Sequence, residues 1–251
     1  RDLQDFQAEV VFARGIEVAH QGEVCIELPP AKHPEWAKQS VHLRRPLVAD
    51  DFKLNTSEGP VVSVNVIGVI ENQAPTRHLK LEMKVESGEI QADMNRDIAK
   101  IALVERHKPT GRIQLGMVSG FGLNQLCAIA TTVAHDAHQM IVVGTDDANM
   151  ALAANTLAMN GGGQVVIMEG KVLGLVELPI AGLMSDEPAV IVAEKAAGLL
   201  QGFRSCGCSL NNPNMQLSLL ALVVIPELRI SDLGLVDVDR FDFIPLIEPV
   251  R

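Results

Sequence analysis

Residues 116–147, GMVSGFGLNQLCAIATTVAHDAHQMIVVGTDD, constrain the fold of this chain more than any other stretch. Two apolar runs, LCAIATTV at 126–133 and MIVV at 140–143, are short and rich in Val, Ile and Thr. That pattern belongs to buried strands. Between them stands the most concentrated polar cluster in the chain, His135-Asp136-Ala137-His138. A polar insert between two buried strands is expected at a strand end, where its side chains reach a cleft or solvent. Gly144-Thr145-Asp146-Asp147 then supplies a turn and a helix cap.

Around this unit the chain reads mostly as hairpins. Residues 8–24 alternate and are punctuated by Gly15 and Gly22, which predicts an N-terminal β-hairpin. Residues 28–45 are proline-broken and read as a connecting excursion, with at most a short helix over 35–40. Residues 50–60 read as polar loop. Strands are expected at 61–70, 97–105 and 112–120, and a hairpin over 79–93 turns at Ser87-Gly88. Residues 147–160 (DANMALAANTLAMN) form the clearest helix, with Thr145 or Asp146 as its cap and Asn160-Gly161 as its end. A hairpin over 164–179 turns at Glu169-Gly170. A second helix is expected from Asp186 to Gln201, with acidic residues in its first turn. Residues 217–225 read as a last strand and 235–251 as an extended tail. The sum is an α+β fold: a mixed β-sheet built from hairpins, two main helices packed on it, and a small N-terminal β-hairpin segment. A boundary near residue 60 would separate residues 1–60 from a domain over 61–251.

Composition excludes several functions. Aromatics are 3% of residues and the net charge is −10. The chain therefore lacks stacking platforms for bases and cationic surface for phosphates, and no nucleic acid is expected as partner. No apolar run approaches the length of a membrane span, and the charged opening RDLQDFQAEV does not read as a signal peptide. Cys25 and Cys127 sit in apolar runs and are expected to be buried thiols. Cys206-Gly207-Cys208 lacks the second ligand pair that zinc needs. Reduced cysteines point to a cytoplasmic protein.

Three blocks bear on chemistry. His135, Asp136 and His138 suit metal ligation or acid–base work, and equally a hydrogen-bonded cluster that satisfies strand ends. Ser185, Asp186 and Glu187 would place carboxylates in a cleft, or simply cap a helix. Glu105-Arg106-His107 reads as a solvated strand end. Phosphate loops, nucleophile elbows and H-E-x-x-H are absent from the sequence.

The blocks ERHKPTGRIQLGMVSGFGL, IATTVAHDAHQMIVVGTDDANMALAAN, ELPIAGLMSDEP and LVVIPELRISDLGLVDV resemble, in order, the C-terminal part of bacterial adenine deaminases of the amidohydrolase superfamily. The resemblance runs from about Val61 to the end, and the hairpin at 8–24 resembles the remnant of an accessory β-domain that follows the barrel. It implies hydrolysis of adenine to hypoxanthine and ammonia at a divalent metal, manganese or iron, held in a catalytic barrel. That barrel needs an H-x-H, and none occurs among His20, His33, His42, His78, His107, His135 and His138. The chain is therefore expected to be the C-terminal portion of such an enzyme, holding no metal and inactive alone. Its expected partners are its own N-terminal amidohydrolase barrel, adenine, and further copies in a homo-oligomer. The resemblance assigns no catalytic role within this region. By chemistry the candidates are His135, Asp136 and His138 for catalysis, and Ser185, Asp186 and Glu187 for substrate binding. The competing expectation is a purely structural or oligomerisation module.

Overall fold

The computed structural model describes residues 7–29 and 32–248. The chain divides into two compact units, Arg1–His33 and Pro34–Arg251. The first holds an antiparallel three-stranded sheet, β1 (Val10–Ala13), β2 (Ile16–His20) and β3 (Glu23–Val24). Turns at Arg14-Gly15 and Gln21-Gly22, all at positive φ, join its strands. Cys25, expected inside, is exposed, because this small sheet builds no core that could cover it.

The second unit is organised by ten strands: β4 (Leu54–Asn55), β5 (Val61–Val69), β6 (Thr76–Glu86), β7 (Glu89–Ile90), β8 (Ile98–Val104), β9 (Ile113–Ser119), β10 (Cys127–Thr131), β11 (Met140–Gly144), β12 (Gly163–Met168) and β13 (Lys171–Glu177). They form one sheet in the order β13-β12-β10-β11-β8-β9-β5-β6-β7-β4. Every pairing is antiparallel except β5 with β9, where Val66, Ile67 and Gly68 lie beside Met117, Val118 and Ser119. The runs expected as strands at 61–70, 113–118, 128–133, 140–143 and 165–168 all contribute to it, as β5, β9, β10, β11 and β12.

Strands β8, β10 and β11 are buried at every residue, which explains their continuous apolar lettering. Alternate residues serve opposite faces. On one face Ala102, Val104, Ala128, Ala130 and Val142 meet helix α1 (Asp147–Met159), together with Phe52. On the other, Ile101, Leu103, Ile129, Ile141 and Val166 meet α2 (Ala189–Ser205) and α3 (Pro213–Leu219). A C-terminal sheet of β14 (Leu228–Ser231), β15 (Gly234–Asp237) and β16 (Asp242–Ile244) completes that layer through Leu228, Ile230 and Leu235. Helix α2 approaches the sheet closely: a side chain at Gly174 would meet the Leu199 Cα at 2.6 Å.

Several expectations need correction. Residues 217–225 are not a strand. Asn212 accepts a hydrogen bond from the Met215 amide (3.3 Å) and Pro213 occupies the first turn, so a short helix begins there. Leu217, Leu220 and Ala221 then reach the core at helical spacing, a period that a short apolar run conceals. Helix α2 starts at Ala189 and runs to Ser205, so Asp186 and Glu187 lie outside it and its first turn holds no acidic residue. Pro188 is its N-cap, and its side chain has no oxygen to accept from the first-turn amides. The segment read as polar loop includes a 3-10 turn, Ala49–Phe52, whose Phe52 is fully buried, and the β4 strand. The tail is a hairpin over β15 and β16 rather than a single extended run, and residues 249–251 of that expectation lie outside the described residues. The helix cap before α1 is Asp146, which accepts from the Asn149 amide at 2.8 Å. Thr145 instead ties the β10 start, accepting from the Cys127 amide and donating to Gln125 O.

Candidate functional site

At one end of the ten-stranded sheet, the loops leaving β8, β10 and β13 gather with those entering β9, β11 and β12. Residues 132–139 connect β10 to β11 here and carry His135, Asp136 and His138. The loop is held by its backbone. The His135 amide donates to Ser218 O (3.0 Å), and the His138 amide donates to Ala134 O (2.7 Å). Thr132 Oγ1 donates to Gly182 O (2.6 Å) and accepts from the Gly163 amide (2.8 Å). The triple glycine 161–163 thus buttresses the loop from behind.

His135 and His138 are brought together, with ring centroids 5.5 Å apart and edge to face. His138 Nδ1 is buried without a hydrogen-bond partner among the described residues. Burial first, then the neighbouring His135 and Arg106, push the His138 imidazolium below its ordinary pKa, and Asp136 opposes them. His138 is therefore neutral at pH 7, with a lone pair or N–H unused. Asp136 is exposed. With Ala137 and Gln139 it lines a largely apolar pocket of about 200 Å³, closed by Leu103, Ala221 and Val224. Neither histidine lines that pocket.

Ser185, Asp186 and Glu187 are spent locally. Ser185 Oγ accepts from the Glu187 amide at 3.2 Å. Asp186 pairs with Lys38 at 2.6 Å, and Glu187 with Lys195 at 2.6 Å. Hydrogen bonds to Asp186 and to Glu177 and Glu187 hold the two lysines above the ordinary ammonium range. Arg106 joins the His135–His138 loop to Ser40 and Ala181.

The reading of Glu105-Arg106-His107 as a solvated strand end is wrong for its first two members. Glu105 and Arg106 are buried, because their polar atoms organise the surrounding loops. Burial alone would raise the Glu105 carboxyl. Bonds from the Lys108 amide, Thr110 Oγ1 and the His107 amide outweigh it, so the carboxyl sits below its usual range and anchors the 107–110 turn. Arg106, 1% exposed, donates to His138 O (2.6 Å), Ser40 O (2.8 Å), Ser40 Oγ (3.2 Å) and Ala181 O (3.1 Å). Burial lowers its guanidinium to about 10, still charged at neutral pH. Gly182, at φ +71°, lies flat on that guanidinium, and a side chain there would meet Nη1 at 2.8 Å. A charged pair at a strand end gave the sequence no signal of burial. The one hint was a strand of seven buried residues leading straight into it.

Among the described residues no group of three or more His, Cys, Asp or Glu side chains is arranged to hold a metal ion. The His135–His138 loop forms no such group and does not fit a metal centre. No helix among the described residues is long and apolar enough to cross a membrane.

Comparison with known proteins gives a consistent result. A model of the adenine deaminase C-terminal domain matches residues 73–242. Adenine deaminase of Roseobacter denitrificans is 56% identical over 248 residues, covering 98% of this chain and 41% of that protein. Adenine deaminase 3 of Rhizobium meliloti is 54% identical over 241 residues, covering 96% of this chain and 40% of its own length. The Moorella thermoacetica adenine deaminase is 44% identical over 248 residues, with 98% and 41% covered. The chain spans about two-fifths of the length of the curated relatives it matches. With a family model lying across most of the ten-stranded sheet and both layers packed on it, this chain belongs to the adenine deaminase C-terminal domain family.

Proposed function

We propose that this chain is the C-terminal part of an adenine deaminase, and that the complete protein hydrolyses adenine to hypoxanthine and ammonia in the cytoplasm. The carrying observation is the 56% identity that extends over 98% of the chain to a protein of that name. In this reading the divalent metal, manganese or iron, is held by an amidohydrolase barrel outside this chain, and the strand-end loops close or support that barrel's active site. The 132–139 loop is the face turned to it. Asp136 offers an exposed carboxylate to the amino group of a purine, while His138 is neutral and able to accept or donate a proton at neutral pH. Asp136 adjoins an apolar pocket suited to a flat heterocycle or to an apolar side chain of the barrel.

The test is Asp136→Asn and His138→Gln in the full-length protein. Each should lower kcat for hypoxanthine formation by roughly 10²-fold, the scale of a lost acid–base group, with the melting temperature and metal content unchanged. Turnover within twofold of the parent would remove the loop from the active site. The second reading, a structural role, is favoured for Ser185, Asp186 and Glu187 by their ion pairs with Lys38 and Lys195. There Asp186→Asn should change stability and leave kcat alone.

A further inference from the structure

We propose that Arg106 is a positioning residue, a single buried guanidinium that fixes the His135–His138 loop against the 180–182 turn. It ties the His138 end of the loop to that turn and to Ser40, whereas Thr132 Oγ1 holds the other end of the loop to Gly182 O. This rests on the reading of the 132–139 loop as the face turned to the active site, and it assigns the residue that sets that face's geometry.

The argument starts from what the guanidinium touches. Its nitrogens reach three separate segments: His138 O at 2.6 Å, Ser40 O at 2.8 Å with Ser40 Oγ at 3.2 Å, and Ala181 O at 3.1 Å. The backbone on either side is tied as well. The Arg106 amide donates to Gln139 Oε1 (2.9 Å), and its carbonyl accepts from the His42 amide (2.8 Å). Only a planar fork of five donors can satisfy acceptors that approach from three directions in one plane. A lysine ammonium projects from a single point and cannot. Gly182 keeps the stacking face open, since any side chain there would strike the guanidinium.

The hydrogen bonds of this guanidinium among the described residues end on neutral oxygens. Burying such a charge is costly unless its nitrogens are all hydrogen-bonded, as they are here. Here the positive charge is left uncompensated beside the loop and bears on the His138 imidazole. The other charged or titratable groups facing that ring are His135, His107 and Asp136. Asp136 alone favours its protonated form. Arg106 therefore acts on His138 twice, by holding its backbone and by disfavouring its protonation.

The experiment compares Arg106→Lys with Lys100→Gln, a buried cation near the opposite end of β8 that touches none of these loops. In the full-length protein, Arg106→Lys should lower kcat roughly tenfold to hundredfold, the cost of misplacing a reacting group by about 1 Å. By NMR of the 251-residue chain, its His138 titration should move up toward about 6.5, because the ammonium keeps the charge but frees the loop and lets water reach the ring, whose burial is the main cause of its lowered pKa. Lys100→Gln should lower the melting temperature and move neither quantity. If Arg106→Lys leaves the His138 titration where it was, the positioning role is overturned, whatever happens to kcat. If the titration moves and kcat does not, the clamp stands and the reading of the loop as an active-site face fails. Should Arg106→Lys not fold, amide hydrogen exchange in the unsubstituted chain decides. His138 and Ala181 amides exchanging at one common rate support the clamp; independent rates overturn it.

Discussion

Buried charge is the feature that most shapes this domain at the scale of single residues. Lys100 is 2% exposed and bridges Glu89 (2.6 Å) and Asp147 (2.8 Å), tying β7 to the first turn of α1 across the sheet. Replacing it with Met leaves two partly buried carboxylates facing each other without a cation, and urea unfolding should show a loss of about 3 kcal/mol, the low end for a broken buried pair. His138 gives a pH signature of opposite origin. Its folded pKa is depressed, so between that value and the ordinary 6.5 or so the unfolded chain binds more protons than the folded one. Stability therefore rises with pH through this window and falls as pH drops below about 6.5. His138→Gln should flatten that part of the curve of unfolding midpoint against pH, and an unchanged slope would show that another group produces it. The candidate loop was legible because His135, Asp136 and His138 stand within four positions. Arg106 was not, because its three partner segments lie 32 to 75 positions away along the chain and no local pattern encodes them.

Elements whose period matched their environment were readable at the scale of strands and helices. The doubly buried β8, β10 and β11 announced themselves as unbroken apolar runs, and α1 by its Asp146 cap. Asp146→Ala should cost about 1 kcal/mol of stability in thermal or urea unfolding. Misreadings fell where tertiary contact outweighed local lettering. Residues 217–225 are apolar enough for a strand, yet a proline and an asparagine just upstream start a helix. Phe52 sits in a polar stretch but fills the space between α1 and the sheet, where it is fully buried. Phe52→Ala should cost about 3–5 kcal/mol, and a loss under about 1 kcal/mol would mean that the side chain does not pack as described. Gly182→Ala combines a left-handed backbone, about 1–2 kcal/mol for a residue with a Cβ, with a clash against the Arg106 guanidinium. Its stability loss should exceed the conformational term alone.

Taken as a whole molecule, the purified chain should form no hypoxanthine from adenine, with or without added manganese or iron, since its sequence lacks the H-x-H that the family's catalytic barrel needs. Detectable turnover would overturn the proposal that the chemistry belongs to a barrel outside this chain. The single parallel pairing in the sheet has a consequence of another kind. The β8–β9, β10–β11, β12–β13 and β5–β6 hairpins close over short loops. The β5–β9 seam joins Val66 to Met117, which are 117 − 66 = 51 positions apart, and only three residue pairs span it. Its closure entropy is met last and repaid by few contacts. The sheet is thus two antiparallel blocks, and the seam that joins them spans more sequence than β8–β11 (at most 144 − 100 = 44 positions) or β10–β12 (at most 168 − 127 = 41), so their joining sets the folding rate. Substitutions at the seam, such as Val66→Ala, should slow refolding more than equally destabilising ones within β10 or β11, and stopped-flow refolding would resolve the difference.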